Sequence, residues 1–249
     1  VVPQRRSAAC CVRTAADWVE DEPGYFEVDL VGHCGGSGEG EFLYTLNMTD
    51  VCTGWLTLGA MKGKGQQGTV RTLDAAWRQV PFAAKGVDSD NGSEFINHHL
   101  VSYCKKRGIK LTRGRPYKKN DQCHVEEKNW TVVRQFLGYQ RLETEEELAL
   151  LQEVQGRIVR YHNFWWPMMR LVRKERTGSK VKRVYDEART PYRRLLAQEG
   201  VLTQSERQAL QAEYEKTNPA AMLRAINRLT SRLGEMRRER ERRQRGDAA

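Results

Sequence analysis

Apolar and polar positions alternate with period two over Tyr25–Val31: Phe26, Val28 and Leu30 share one face, Glu27 and Asp29 the other. This predicts a strand. Glu41 to Asp50 and Gly54 to Met61 are rich in aromatic and β-branched residues and predict two more. Val51-Cys52-Thr53 lies at the turn between them, so the three form an antiparallel meander. The spacing then changes: Val70, Leu73, Ala76 and Trp77 recur at helical intervals and predict a helix over 66–79. Ala83 to Asp88 predicts a fourth strand, which runs into the acidic tip Asp88-Ser89-Asp90 and then Asn91-Gly92. Asn-Gly is a strong hairpin signal. Here, however, Phe95, Ile96, His99, Leu100, Tyr103 and Cys104 follow at helical spacing, and Gly108 suits a helix stop. Strand, turn and then a helix from Ser93 is the reading that follows.

Two longer helices come next. One runs from Asn120 or Asp121, either of which suits the cap, to about Gly138. The other spans Thr144 to Tyr161, with Thr144 and Glu147 spaced as a capping box. On the first, Glu126 heads a mostly apolar stripe with Trp130, Val133 and Leu137, beside a polar stripe of Glu127, Thr131 and Arg134. Phe164-Trp165-Trp166-Pro167 ends the second helix and reads as a packing plug rather than a base-stacking platform. Arg170 to Arg183, with seven basic residues, one acid and Thr177-Gly178-Ser179, predicts a mobile basic loop and a candidate DNA contact. Helices follow at about 191–198, 203–215 and 218–243, the last running into alternating charge at Arg237–Arg245. The organisation expected is a linker remnant over 1–21, a mixed α/β domain over 22–189 and a basic helical extension over 190–249.

Charge sharpens this picture. Net charge is +10, with 42 Lys and Arg against 32 Asp and Glu in 249 residues, which favours a polyanionic partner. Eight of the basic residues fall between Tyr103 and Lys119 without one acid, just ahead of Glu126. No apolar run approaches the ~18 residues of a membrane span, and the start of the chain lacks a secretory pattern. A soluble cytoplasmic protein with no membrane partner is therefore expected. The first residue is Val, as in a fragment or an incomplete reading frame. None of the six cysteines forms a Cys-x-x-Cys pair, so free thiols are expected rather than a zinc site.

Three acids stand out in order. Asp29 lies in the first strand, Asp90 precedes Asn-Gly, and Glu126 follows after 35 intervening residues. Together with Asp88-Ser89-Asp90-Asn91-Gly92-Ser93-Glu94-Phe95 and Arg115-Pro116-Tyr117-Lys118-Lys119-Asn120-Asp121-Gln122, they resemble the DDE integrase–transposase family. The likeness is to the integrase core of bacterial insertion-sequence transposases and covers about residues 22–195. It implies an α/β, RNase H-like fold: an antiparallel three-strand meander plus parallel strands, flanked by helices, with a helical C-terminal extension. It implies metal-dependent cleavage of DNA ends and strand transfer, with Asp29, Asp90 and Glu126 as catalytic residues and metal ligands. Two Mg²⁺ ions are the implied cofactor, with Mn²⁺ able to substitute. Asn91, Arg113, Arg115, Lys118, Lys119, Asn120 and Lys128 are the implied DNA contacts. The implied partners are double-stranded DNA, as element ends and target, and further copies of the chain in a homo-oligomer; the implied location is the bacterial nucleoid.

The choice of Glu126 over Glu127 has its own physical reason. A carboxylate heading an inward stripe costs energy unless something pairs with it, and a metal ion would. The helix dipole favours an acid at either position. Two alternatives stay open: an RNase H-like nuclease that cuts without joining, and a non-catalytic remnant that only binds DNA or oligomerises. His33 reads as a loop histidine without a special role.

Overall fold

The computed structural model describes residues 11–12, 21–90, 92–95, 97–114 and 122–246. Its main sheet has six strands: β1 (Cys11–Val12), β2 (Tyr25–Gly32), β3 (Leu43–Asp50), β4 (Leu56–Lys62), β5 (Gly86–Ser89) and β6 (Lys110–Arg113). Their order across the sheet is β1-β6-β5-β2-β3-β4. β2, β3 and β4 form the expected antiparallel meander, while β5 pairs parallel to β2 and β6 parallel to β5. This is the mixed sheet expected, an antiparallel meander extended by parallel strands.

Two strands of the sheet were not expected. β6 is four residues long and lies inside the basic run; Ile109 and Leu111 are its only apolar anchors. β1, in the stretch expected to be a linker, pairs parallel with β6.

β2 is central, so both of its faces are covered. Phe26 and Val28 are fully buried with Leu46, Met48, Val87, Phe95 and Leu100. That side is roofed by α1 (Gln66–Trp77) and α2 (His98–Arg107). α2 starts later than expected. Asn97 rather than Ser93 caps it, accepting from Leu100 N at 3.0 Å, because residues 92–95 turn back on themselves with Phe95 N bonded to Gly92 O. Gly108 stops the helix as expected, at φ +67°.

The opposite face carries Glu27, Asp29 and Val31 of β2. It packs against α3 (Cys123–Lys128), a π-helical turn (Asn129–Arg134), α4 (Gln135–Leu137) and the long α5 (Glu145–Trp165). The first of the two long helices is thus interrupted: i→i+5 bonding over Asn129–Arg134 adds a residue per turn. The spacing that put Trp130 on the inward stripe fails for this reason, and Trp130 is 58% exposed while Val132, Val133 and Leu137 are buried. Thr144 and Glu147 form the expected capping box. The aromatic cluster is a plug. Phe164 sits edge-on to Trp55 at 5.9 Å, and Trp165 stacks on Tyr214 at 4.4 Å and donates to Thr217 Oγ1.

The stretch expected to be a loop is instead a two-stranded ribbon, β7 (Leu171–Thr177) and β8 (Lys180–Tyr185), separate from the main sheet. Beyond it come α6 (Pro191–Leu196), α7 (Gln204–Glu215) and α8 (Pro219–Gly246). Tyr192, Leu195, Leu202 and Leu210 join the cluster around Phe26, and Ile226 and Leu233 join the one around Val31. No helix among the described residues is long and apolar enough to cross a membrane.

α8 is also pinned near its end. Arg240 Nε lies 3.1 Å from Glu147 Oε1, its Nη1 meets Glu143, and its Nη2 donates to Arg141 O at 3.0 Å. Glu147 is 1% exposed, so removing its counter-charge strands a buried carboxylate. Arg240→Ala is expected to cost about 2–3 kcal/mol, less than the largest such losses because two backbone N–H groups still hold Glu147. A fall in the urea midpoint at constant m-value checks this.

Candidate active site

Glu27 and Asp29 share the face of β2 that looks towards α3, and Asp88 and Asp90 share the same face of β5 and its extension. Glu27 and Asp88 are register partners. Four acids from two adjacent strands therefore crowd one side of the sheet, and α3 lies across them.

Asp29 is held at both oxygens. Leu30 N donates to Oδ1 at 2.7 Å, and Asn129 Nδ2 donates to Oδ2 at 2.7 Å. Even so, its pKa is raised to about 6. Burial is the main cause, and the charges of Asp90 and Glu126 add to it; the bonds from Leu30 and Asn129 offset part. Asp90 and Glu126 thus both lie within electrostatic reach of Asp29. Asp90 sits just past the end of β5, and its Oδ1 accepts from Gly92 N at 2.9 Å. Burial and the neighbouring Glu94 raise its pKa, against the Gly92 bond and Lys64. A Cβ at Gly92 would sit 2.9 Å from Asp90 Oδ1 and 2.7 Å from Glu94 Cδ, so a side chain there would displace both carboxylates.

Glu126 is brought up by an anchored helix. Fully buried Glu27 accepts from both His124 N and Val125 N at 2.9 Å, capping α3 through the charge its N-terminus favours. Asn47, the β3 partner of Asp29, donates to Asn129 Oδ1 at 2.8 Å and to Val125 O at 3.3 Å. Asn129 therefore ties the helix three residues beyond Glu126 to Asp29 itself. Glu126 is exposed rather than on a buried stripe; what singles it out is its charge felt at Asp29. Glu127 turns instead to Lys128, with Oε1 3.1 Å from Nζ.

Glu27, Asn47 and Asn129 were not singled out from sequence. Glu27 was legible in part, since it shares the face of Asp29. Asn129 lies one turn after Glu126.

Of the expected DNA contacts, Asn91, Arg115, Lys118, Lys119 and Asn120 lie outside the described residues. Arg113 ends β6, opposite Ser89 and next to the strand that leads to Asp90, and is half-buried. Lys128 departs from expectation. It is 2% exposed, its ammonium lies against Glu127 and Met168 Sδ, and burial lowers its pKa. It faces the protein interior. His33 lies in the connection just past β2, as expected, but is buried, with Nε2 2.7 Å from Thr45 Oγ1.

The donor set suits a hard divalent cation: clustered carboxylates whose mutual repulsion already shows in the pKa of Asp29. Among the described residues, no three Asp, Glu, His or Cys side chains converge on one ion-sized point. The acids face one another without closing.

Residues 20–119 match the integrase core domain family. The uncharacterised protein y4rM of Sinorhizobium fredii is 39% identical over 174 residues, 70% of this chain and 50% of that protein. The chain thus spans about half the length of this curated relative. Among solved structures, the catalytic core of bovine immunodeficiency virus (BIV) integrase aligns with TM-score 0.47 at 15% identity, over 76% of this chain and 99% of that one. The HTLV-2 integrase core, solved with magnesium as a dimer, gives 0.45 at 14%, over 59% and 90%. A chain of the simian T-cell lymphotropic virus intasome gives 0.47 at 15%, over 66% and 55%.

Proposed function

Starting from an integrase core domain over residues 20–119, we propose that the chain is the catalytic core of a DDE transposase or integrase. It cleaves DNA ends and joins them to target DNA, working as a homo-oligomer on double-stranded DNA. The observation that carries this reading is the electrostatic coupling of Asp29 to Asp90 and Glu126 on one face of the sheet.

Asp29, Asp90 and Glu126 would hold two Mg²⁺ ions, which when bound stabilise the attacking and leaving oxygens of an in-line displacement at phosphorus. Asn129 and Leu30 N fix the plane of the Asp29 carboxylate. Glu27 sets the reach of Glu126 through α3. Gly92 N orients Asp90. No side-chain nucleophile is needed, because water and then a DNA 3′-hydroxyl serve in turn. Arg113 and the basic segment after it are assigned to the DNA backbone, where such contacts position the duplex without reading it.

The acids stand apart, and this favours a second reading in which the chain binds DNA without cutting it. One comparison separates the two. The full chain is incubated with a labelled duplex end in Mg²⁺ or Mn²⁺, beside Glu126→Gln and Glu127→Gln. Cleavage and joining by the wild type are expected. Loss of at least about a hundredfold is expected for Glu126→Gln, the scale seen when one transition-state-stabilising group is removed. Glu127→Gln is expected to stay within a few-fold. Equal losses in both, or no cleavage by the wild type, would reject the assignment.

A further inference from the structure

We propose that one face of the β7–β8 ribbon, the face bearing Lys174, Arg176 and Arg183, is a docking surface for double-stranded DNA. The inference rests on the DNA substrate proposed above.

An isolated two-stranded hairpin is marginal in water, and normally a third strand or a helix covers one side. Here both sides stay open, and only Glu175 and Val184 are partly shielded. The turn is a tight two-residue one at Gly178-Ser179, with Gly178 at φ +63°. The base is bolted down. Arg194 binds Asp186 at 2.6 Å and Met168 O at 2.7 Å, while Arg170 N donates to Asp186 Oδ1 at 2.6 Å. A ribbon firmly rooted but uncovered along its length is placed to meet something outside the chain.

The two faces differ in charge. On one, Glu175 lies between Arg173 and Lys182, 2.7 and 3.9 Å away, and neutralises part of the positive charge. On the other, Lys174 stands directly opposite Arg183, and Arg176 follows at the next position of the same face, opposite Val181. Like charges facing across a ladder destabilise it, and among the described residues no acid pairs with these three. This face suits an outside polyanion, and Tyr185 and Val181 on it are 46% and 51% exposed.

Size and place agree. Strands of seven and six residues span roughly 20 Å, and the ~12 Å major groove admits a two-stranded ribbon. The root touches the candidate site, since Met168 Sδ lies 3.4 Å from Lys128 Nζ, two residues past Glu126.

The test compares two charge-matched triple variants of the full chain. One is Lys174→Ala, Arg176→Ala, Arg183→Ala; the other is Arg173→Ala, Lys180→Ala, Lys182→Ala. Binding to a labelled duplex of about 30 base pairs is followed by anisotropy in EDTA from about 50 to 200 mM salt. The first variant is expected to bind at least about tenfold more weakly, with a log–log salt slope shallower by about 2–3, as ~0.9 per lost phosphate contact requires. The second is expected to change its slope by less than about 1. A first variant that melts early is replaced by Arg183→Gln, with an expected slope change of about 1. Equal slopes for the two variants, or a wild-type slope in the first, overturn the proposal. Wild-type cleavage alongside such a result removes the ribbon and leaves the enzyme reading standing. A lost slope in a protein that never cuts does the reverse.

Discussion

Asp29→Asn is expected to abolish DNA cleavage and, at neutral pH, to make the protein more stable. The loss of activity, at least about a thousandfold, follows from removing a group proposed to hold both metal ions. The gain follows from linkage. Asp29 has a folded pKa of about 6 against 3.8 for the free side chain, so between those values the folded state binds more protons than the unfolded one. Stability therefore falls as pH rises through that window, and the deficit persists above it. Two units correspond to about 3 kcal/mol at most, and some solvent access lowers that. Asparagine also loses one bond, because its amide cannot accept from both Leu30 N and Asn129 Nδ2, at a cost of about 1 kcal/mol. Relief of the buried charge is the larger effect, so a net gain of about 1–2 kcal/mol is expected above pH 6.5, shrinking to nothing or reversing near pH 4. Urea titrations at the two pH values decide this, and a variant less stable than wild type at pH 8 would sink it. Added Mg²⁺ is expected to raise the melting temperature of the wild type and leave Asp29→Asn unmoved.

Acid is expected to unfold the protein well above the pH at which its carboxylates protonate. His33 and His162 are buried, and burial lowers both pKa values from 6.5 to about 3. Arg134 faces the first and Lys128 the second, each opposing a second positive charge, while Asn163 favours protonation of His162 only weakly. Among the described residues, His33 Nδ1 and His162 Nε2 have no hydrogen-bond partner. The folded state binds fewer protons than the unfolded one between 3 and 6.5, so stability is lost as pH falls through that range. At pH 4.5 each histidine costs about 2–3 kcal/mol. Asp29 and Asp50, whose burial raises their pKa, gain stability in the same direction and offset part of it. The remainder is a large fraction of the 5–15 kcal/mol typical of a domain. Stability is expected to fall by about 1 kcal/mol per pH unit below 6, and His162→Gln to remove most of that slope. A stability constant from pH 7 to 4.5 would refute the argument.

The parts of the fold legible in sequence are those where one local pattern decides. β2 reads as a strand because Phe26, Val28 and Leu30 alternate with Glu27 and Asp29. Gly108 and the Thr144–Glu147 box mark helix ends through chemistry confined to a few neighbours. The ribbon was not legible, because a strand with no buried face has no apolar alternation to display; Thr177-Gly178-Ser179 then looked like loop rather than hairpin tip. β6 was hidden for a related reason, its one apolar residue, Leu111, being outnumbered by Lys110 and Arg113. In the site, Asp90 could be picked out beside its Asn-Gly turn. Asn129 could not, because its bonds reach positions 29 and 47, far along the chain. The stripe used to favour Glu126 presumed an unbroken α-helix, so Glu126 was singled out by a wheel that the structure does not keep.

The π turn has a mechanical corollary. Val132, Val133 and Leu137 lock the downstream part of the helix into the core, while Glu27 grips its leading end. Between these two clamps the six residues from Asn129 act as a phase shifter. Rewinding those six residues as ordinary α-helix, without changing their number, would swing the leading end by roughly 100° relative to its anchored tail. Glu126 would then point away from Asp29 although every acid was still present, so the winding of this segment is under as strict a constraint as the acids themselves.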